Sequence, residues 1–313
     1  MDRDVCRDSV KAYQRKRKPV WLRRSLPTSP EYEKVRRLIG ASSLHTVCQE
    51  AKCPNQWECF SSRTATFMIL GEVCTRGCRF CAVAGGKPLP PDPEEPGRVA
   101  EAARELNLSY VVVTSVTRDD LDDGGSSAFA ATIRALRDTI DGVYVEVLIP
   151  DFQGSEIDLQ CVIDAKPDVL NHNIESVPRL YDTVRPQAIY QRSLDVFRYA
   201  AKAAPSMPLK SGIMLGLGET DAEVEATLSD LLAAGCSILT IGQYLQPSKD
   251  HLPVENYVTP EAFDAWKTKA LAMGFVDVAS GPFVRSSYKA KELFEKRPSM
   301  VKADSKSMPP AAR

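Results

Sequence analysis

The sequence of 313 residues has no charge excess. Its 40 Lys and Arg stand against 41 Asp and Glu, a formal charge of −1. That removes the broad electrostatic footprint of a nucleic-acid or anionic-membrane binder. No apolar run approaches the ~20 residues of a bilayer-spanning helix. The opening stretch, Met1-Asp2-Arg3-Asp4-Val5-Cys6-Arg7-Asp8, carries acidic residues and no apolar segment. It reads as neither a secretory signal nor a transit peptide, and a cytoplasmic location is expected. An odd count of nine cysteines, without a secretory signal, argues against a disulfide framework. Histidine is scarce: His45 and His251 carry no motif, and His172 reads as a packed loop histidine. No internal repeat or boundary splits the chain into independent folds. With 43% hydrophobic and 26% charged residues, it has the profile of a globular protein with a sizeable core.

Cysteines are distributed unevenly. Six fall between positions 48 and 81 as two triplets: Cys48, Cys53 and Cys59, then Cys74, Cys78 and Cys81. The first has a C-x4-C-x5-C spacing and the second C-x3-C-x2-C. A cubane iron–sulfur cluster normally takes four protein thiolates, and a closed zinc site four ligands. Two triplets therefore suit two 4Fe-4S clusters, each with one iron open to another ligand or a reaction. A zinc knot is the bland alternative. Cys161 and Cys236 stand in apolar contexts and read as small core residues.

Residues 1 to about 40 form a polar arm. Lys11, Arg15, Lys16, Arg17, Lys18, Arg23 and Arg24 cluster there with no acidic residue between them. The arm reads as a solvated strip across the body, with a docking strip for an acidic partner as the sharper alternative. From position 64 strands and helices alternate. Strands are expected at 64–70, 110–113, 143–149, 168–170, 209–214 and 237–241, and a last apolar run at 275–279. Helices are expected near 94–106, 125–139, 155–165, 191–203, 220–234 and 260–273. This pattern implies an α/β fold with a parallel sheet and crossover helices, a partial or full (β/α) TIM-type barrel. Chemistry in such barrels sits at the carboxyl ends of the strands. The expected divisions are an N-terminal arm with a cluster-binding extension (1–62), the barrel (63–281) and a C-terminal segment (282–313).

The second triplet, Cys74-Thr75-Arg76-Gly77-Cys78-Arg79-Phe80-Cys81, directly follows the first barrel strand. With its aromatic before the third cysteine, it resembles the radical S-adenosylmethionine (SAM) superfamily. There the open iron is chelated by the methionine moiety of SAM, and an electron from the cluster yields a 5′-deoxyadenosyl radical. The first triplet, Val47-Cys48-Gln49-Glu50-Ala51-Lys52-Cys53-Pro54-Asn55-Gln56-Trp57-Glu58-Cys59, narrows the resemblance to the lipoyl synthase family. Arg285-Ser286-Ser287-Tyr288 matches that family's motif at the end of the barrel. The resemblance implies that Ser287 is the fourth ligand of the auxiliary cluster. A serine oxygen is a harder, weaker partner for this iron than a thiolate.

The resemblance covers nearly the whole chain. It implies insertion of two sulfur atoms from the auxiliary cluster into an octanoyl group on a carrier-protein lysine, with two SAM spent per turnover. Implied partners are octanoylated carrier domains (dehydrogenase-complex E2 subunits and the glycine cleavage H protein), an electron donor such as ferredoxin or flavodoxin, and an iron–sulfur cluster carrier. Neither nucleic acid nor a membrane is implied. Arg285 is expected to position Ser287 or offset the cluster's charge, with a packing role as the alternative. Phe80, Asn173, Glu175, Gly216 and Gly218 are the candidate SAM-site residues. A cap or loop-anchoring role is the alternative for Asn173 and Glu175, and a common turn for Gly216-Leu217-Gly218. The charged turn Arg118-Asp119-Asp120-Leu121-Asp122-Asp123 reads as an active-end loop facing the substrate peptide. The runners-up are another radical enzyme with an auxiliary cluster, an electron-transfer or cluster-carrier protein, and a zinc-stabilised module.

Overall fold

A computed structural model describes residues 17–23, 30–61, 65–288 and 290–295. Cys6 and most of the basic arm (Lys11, Arg15, Lys16 and Arg24) lie outside the described residues. The strands are β1 (His45–Thr46), β2 (Thr66–Ile69), β3 (Val73–Cys74), β4 (Ala84–Gly85) and β5 (Tyr110–Ser115). They continue with β6 (Tyr144–Leu148), β7 (Val169–Asn171), β8 (Leu209–Leu215), β9 (Ile238–Gln243) and β10 (Asp277–Gly281). The main sheet runs β1-β2-β5-β6-β7-β8-β9-β10, and β3 pairs only with β4. Seven of its strands, from β2 to β10, are mutually parallel. Each neighbours the next parallel strand along the chain, as short connections favour. Helices Glu95–Glu105, Ser126–Thr139, Glu156–Asp164, Tyr190–Ala203, Asp221–Ala233 and Pro260–Met273 make the six crossovers. The first and last strands are sheet edges rather than partners, so this is a partial barrel, as expected.

The solvated arm expected to run to about residue 40 is corrected at its end. Pro30–Ala41 is a helix whose Tyr32, Val35 and Ile39 are buried in the main core, because its apolar residues recur at helical spacing. Two further features went beyond the expected pattern. Within the N-terminal extension, β1 adds an antiparallel edge strand to β2, with His45 opposite Met68 and Thr46 opposite Phe67. A short helix, Ala290–Glu295, follows the sheet. Its Phe294 lies 4.8 Å from the Tyr144 ring and 5.5 Å from the Tyr110 ring, at the starts of β6 and β5.

Side chains alternate across the strands with period two. Val111, Val113, Val145 and Val147 pack into the main core with helix residues such as Phe129, Ile133 and Leu136. The opposite face includes buried polar residues, Thr114 and Glu146 among them. Lys210 Nζ on β8 donates to Glu146 Oε1 on β6 at 2.8 Å. The same carboxylate accepts from Tyr110 Oη at 2.6 Å and Asn171 Nδ2 at 3.1 Å. Cys236 is buried, as expected of a core residue, but Cys161 is only half-buried on its helix.

His172 follows β7 and is packed, as its sequence context indicated. Its Nδ1 lies 2.9 Å from the Ile149 carbonyl, which can only accept, so Nδ1 carries the hydrogen. Nε2 meets Ser193 Oγ at 3.0 Å. Burial, assisted by the Arg185 charge and opposed by Asp151, pushes its pKa down to about 4. The imidazole is thus neutral when folded, while an unfolded histidine protonates near 6.5. Stability from this group is full above pH ~6.5 and declines as pH falls from there towards 4, by up to about 3 kcal/mol. Urea midpoints at pH 7 and pH 5 should show that decline, and His172→Gln should flatten it. An equal decline in the variant would assign the slope to other groups.

Candidate functional site

The second triplet occupies a loop beyond the carboxyl end of β2. The chain leaves the strand through Leu70 and Gly71, both at positive φ (69° and 87°). The turn is held by the buried Glu95 carboxylate, which accepts from the Leu70 amide at 2.7 Å. The loop is then stitched to the far ends of other strands. Thr75 N donates to Thr117 O at 3.0 Å, and Arg79 N to Val184 O at 2.9 Å. Leu252 N donates to Arg79 O at 3.1 Å, and Gly77 N to Gln187 Oε1 at 2.5 Å. His251, left without a role by its sequence context, joins Cys81 O through Nε2 at 2.9 Å.

Arg76, between Cys74 and Cys78, anchors this loop. Its guanidinium takes both oxygens of Asp119, at 2.6 and 2.9 Å, and Asp151 Oδ1 at 2.6 Å. Burial alone would raise the Asp151 pKa, but the hydrogen bonds and charge of Arg76 outweigh it and hold the carboxyl at about 2. The charged turn after β5 is therefore largely committed inside the protein. Besides Asp119, Asp120 pairs with buried Arg118 at 2.9 Å. Asp123 accepts from the Gly125 and Ser127 amides at 2.9 and 3.0 Å, at the start of helix Ser126–Thr139.

The thiols of this triplet are hard to ionise unaided. Burial first, then neighbouring sulfur and carboxylate charge, push Cys81 up to about 12. Cys78 is raised for the same primary reason, with Arg185 opposing. Cys74 Sγ accepts from the amides of Thr117 at 3.3 Å and Arg76 at 3.4 Å. Three sulfurs that feel one another, in a site where bare thiolates are penalised, are the donor set that a bound iron centre stabilises. The residues fit a cluster.

Arg185 is the residue that sequence reasoning missed here. It is within hydrogen-bonding reach of Cys78, and its charge acts on Glu175. Its Nη1 donates to Asn173 O at 3.0 Å, and its guanidinium lies 5.6 Å from the Tyr181 ring centroid. No spacing rule ties Arg185 to a cysteine 107 positions away. Glu175 itself has φ of 64°. Its backbone bonds to Gly212 O and Met214 N at 2.9 Å, bridging onto β8. Asn173 Nδ2 donates to Glu175 Oε1 at 3.0 Å.

Gly216 and Gly218 (φ 103° each) make the turn after β8. The Gly216 and Leu217 amides are taken by Glu219, at 2.5 and 2.9 Å. This turn holds its own carboxylate, so what it presents is shape. Leu217 packs with Val184, Tyr244, Leu252 and Val254, and half-buried Phe80 and Met214 lie against that group. The structure thus brings Phe80 to the group around Leu217, and Glu175, bonded to Asn173, within charge range of Cys78.

The first triplet lies at the barrel's open edge. Cys48 sits in helix Val47–Glu50, capped by Thr46, and Cys53 N returns to Cys48 O at 3.1 Å. Cys59 is in helix Gln56–Ser61, whose Trp57 stacks on Tyr32 with centroids 4.2 Å apart. Burial, then the charge of Cys53, push Cys48 up to about 12, so these two sulfurs feel each other in a site where bare thiolates are penalised. Thr66 on β2 hydrogen-bonds Cys48 and donates from Oγ1 to Ser287 Oγ at 2.8 Å. Hence the tail hydroxyl comes beside the first triplet. The tail is fixed on both sides of Ser287. Asn55 Nδ2 donates to Phe283 O at 2.7 Å, and Tyr288 Oη to Glu58 Oε1 at 2.8 Å. Arg285 lies against the Gly242 position on β9, and its charge reaches Glu175.

Comparison with known proteins adds a separate line of observation. Residues 68–231 match the radical SAM superfamily, and residues 4–53 match the N-terminal domain of lipoyl synthase. The lipoyl synthase of Desulfotalea psychrophila is 58% identical over 279 residues, covering 89% of this chain and 93% of that protein. That of Rubrobacter xylanophilus is 55% identical, covering 89% of this chain and 87% of that protein. Among solved structures, methylornithine synthase superposes with a TM-score of 0.51 at 13% identity, over 80% of this chain and 72% of that one. HydG, a maturase of the FeFe-hydrogenase, does so at 0.51 and 15%, over 79% and 70%. At those identities the likeness speaks to the fold alone. With both sequence families matched and the identity sustained across nearly nine-tenths of its length, the chain belongs to the lipoyl synthase family of radical SAM enzymes.

Proposed function

We propose that this chain inserts two sulfur atoms into an octanoyl group borne on a carrier-protein lysine, giving protein-bound lipoyl. The observation that carries the reading is the approach of Ser287 to Cys48 through Thr66, 2.8 Å from a strand that leads straight into the second triplet. A saturated acyl carbon has no acidic proton and no leaving group, so acid–base and nucleophilic catalysis have no handle on it. When bound, a reducing 4Fe-4S cluster with SAM supplies a radical able to remove hydrogen, and an auxiliary 4Fe-4S cluster supplies sulfur.

On this reading Cys74, Cys78 and Cys81 hold the reducing cluster, while Cys48, Cys53, Cys59 and Ser287 hold the auxiliary one. Arg76 keeps the loop rigid by pairing with Asp119 and Asp151, and Arg185 offsets negative charge beside Cys78. Asn173 and Glu175 present polar groups to SAM. Phe80, Gly216 and Gly218 shape its apolar wall. Arg285, near Glu175, contributes positive charge at the end of the tail. Octanoylated E2 domains and H protein are the substrates this reading implies, with ferredoxin or flavodoxin as electron donor and a cluster carrier restoring the auxiliary centre. Among the described residues no helix is long and apolar enough to cross a membrane.

Anaerobic incubation with SAM, a reductant and an octanoylated lysine peptide should give 5′-deoxyadenosine and a dithiol mass gain on the peptide. Deoxyadenosine without sulfur gain would leave radical chemistry standing and remove the specific function. Ser287→Ala should still cleave SAM while yielding little lipoyl product. Equal loss of both would contradict the division of roles.

A further inference from the structure

Ser286 and Ser287 are neighbours in the chain, yet their hydroxyls serve different sites. Ser287 Oγ accepts from Thr66 Oγ1 at 2.8 Å, beside Cys48. Ser286 Oγ donates to Asn173 Oδ1 at 2.8 Å. Asn173 Nδ2 then donates to Glu175 Oε1 at 3.0 Å. The orientation of the Asn173 amide follows from these partners: a carboxylate can only accept, so Nδ2 must face Glu175 and Oδ1 must face the serine hydroxyl.

This arrangement is imposed by the barrel rather than left to a loose tail. A Cβ on Gly212 would lie 2.8 Å from Asn173 Oδ1, 2.8 Å from Thr240 Oγ1 and 3.0 Å from Ser286 Oγ. A Cβ on Gly242 would lie 2.2 Å from the Val284 carbonyl oxygen. Two strands give up their side chains where the tail crosses them. Asn55 and Glu58, from the first triplet's own segment, hold the tail at Phe283 and Tyr288. A shift of the tail at Ser287 must therefore move Ser286, one peptide unit away.

From this we infer that Ser286 is a positioning residue that couples the two cluster sites, holding Asn173 and Glu175 in register only while Ser287 is seated at the first triplet. The inference rests on the proposed function, in which Asn173 and Glu175 face SAM and Ser287 completes the auxiliary site. Coupling of this kind is reciprocal: whatever factor the filled auxiliary site adds to SAM affinity, SAM adds to retention of the tail.

The test is SAM binding without turnover, by anaerobic equilibrium dialysis in the absence of reductant. Four proteins are compared: the wild-type sequence and Ser286→Ala, each with both clusters and each with the first triplet removed by Cys48→Ala, Cys53→Ala and Cys59→Ala. In the wild-type background, the protein with both clusters should bind SAM on the order of tenfold more tightly than the triplet-deleted one. In Ser286→Ala that ratio should shrink to within about twofold. Because the ratio is taken within each background, a general loss of affinity leaves it unchanged. A wild-type ratio of one, or the same large ratio in Ser286→Ala, overturns the coupling alone. Failure of all four proteins to bind SAM would overturn the proposed function and the coupling together.

Discussion

Replacing Gly242 with alanine should detach the C-terminal tail while leaving the barrel folded. The position lies on β9 between Met214 of β8 and Gly281 of β10. The added carbon would sit 2.2 Å from the Val284 carbonyl and 3.2 Å from Arg285 Nη1. The arginine end can swing aside, but the carbonyl is main chain and must retreat with everything attached to it. Overpacking of this sort typically costs 1–3 kcal/mol when the site absorbs it. Here the obstacle is main chain with no rotamer to give, so the tail, held by hydrogen bonds at roughly 1 kcal/mol each, is the element that moves. Hydrogen exchange of the 283–295 peptides should rise steeply, and lipoyl formation should fall by about two orders of magnitude. At saturating SAM, cleavage should continue, uncoupled from product, while SAM affinity falls because the Ser286–Asn173 bond is lost with the tail. Product formation within twofold of the parent would show that the tail is dispensable at that position.

Lys210→Met should be the most destabilising single change inside the barrel. Lys210 and Glu146 are each about 1% exposed, and their bond is 2.8 Å. Removing the cation leaves the carboxylate with only two neutral donors, Tyr110 and Asn171. Breaking one side of a buried pair costs about 3–5 kcal/mol, since the remaining charge is uncompensated. Replacing both members, with Lys210→Met and Glu146→Leu together, should recover most of that loss, because the desolvation of both charges disappears as well. Urea midpoints of the two variants decide the matter. A single variant within 1 kcal/mol of the parent, or a double variant worse than the single one, would contradict this account.

Most of the scaffold was legible because its signals are local. Apolar runs such as Tyr110-Val111-Val112-Val113 and helix signals such as Thr220 before Asp221 lie within a few residues of the elements they define. The two cysteine triplets are likewise contiguous, and their spacing carries chemistry. The polar face of the sheet was not legible. Glu146 and Lys210 sit within strands read as apolar, and only the order β6-β7-β8 brings them together. Arg185 escaped for the same reason, as did the clasp of Asp119 and Asp151 on Arg76. In the sequence Asp119 reads as part of an active-end loop facing the substrate peptide, whereas in the fold it joins Asp151 in anchoring the cysteine loop. β1 was missed because two residues are too few to show a period. The Gly216–Gly218 turn, expected as a wall of the SAM site, keeps its amide donors for Glu219, a detail its short pattern does not show.

The seating of the tail also fixes a timetable. Thr66 and Ser287 are 221 positions apart, and Asn55 and Phe283 are 228 apart. A ribosome adds on the order of ten residues per second. The three thiols of the first triplet therefore emerge roughly twenty seconds before the hydroxyl that the proposed function adds to them. Throughout that interval the nascent chain displays three thiols whose proposed fourth partner is still to come, and the last barrel strand, Asp277–Gly281, is made almost as late. On the proposed roles both sites are therefore completed within the same few residues, the barrel at Gly281 and the hydroxyl at Ser287.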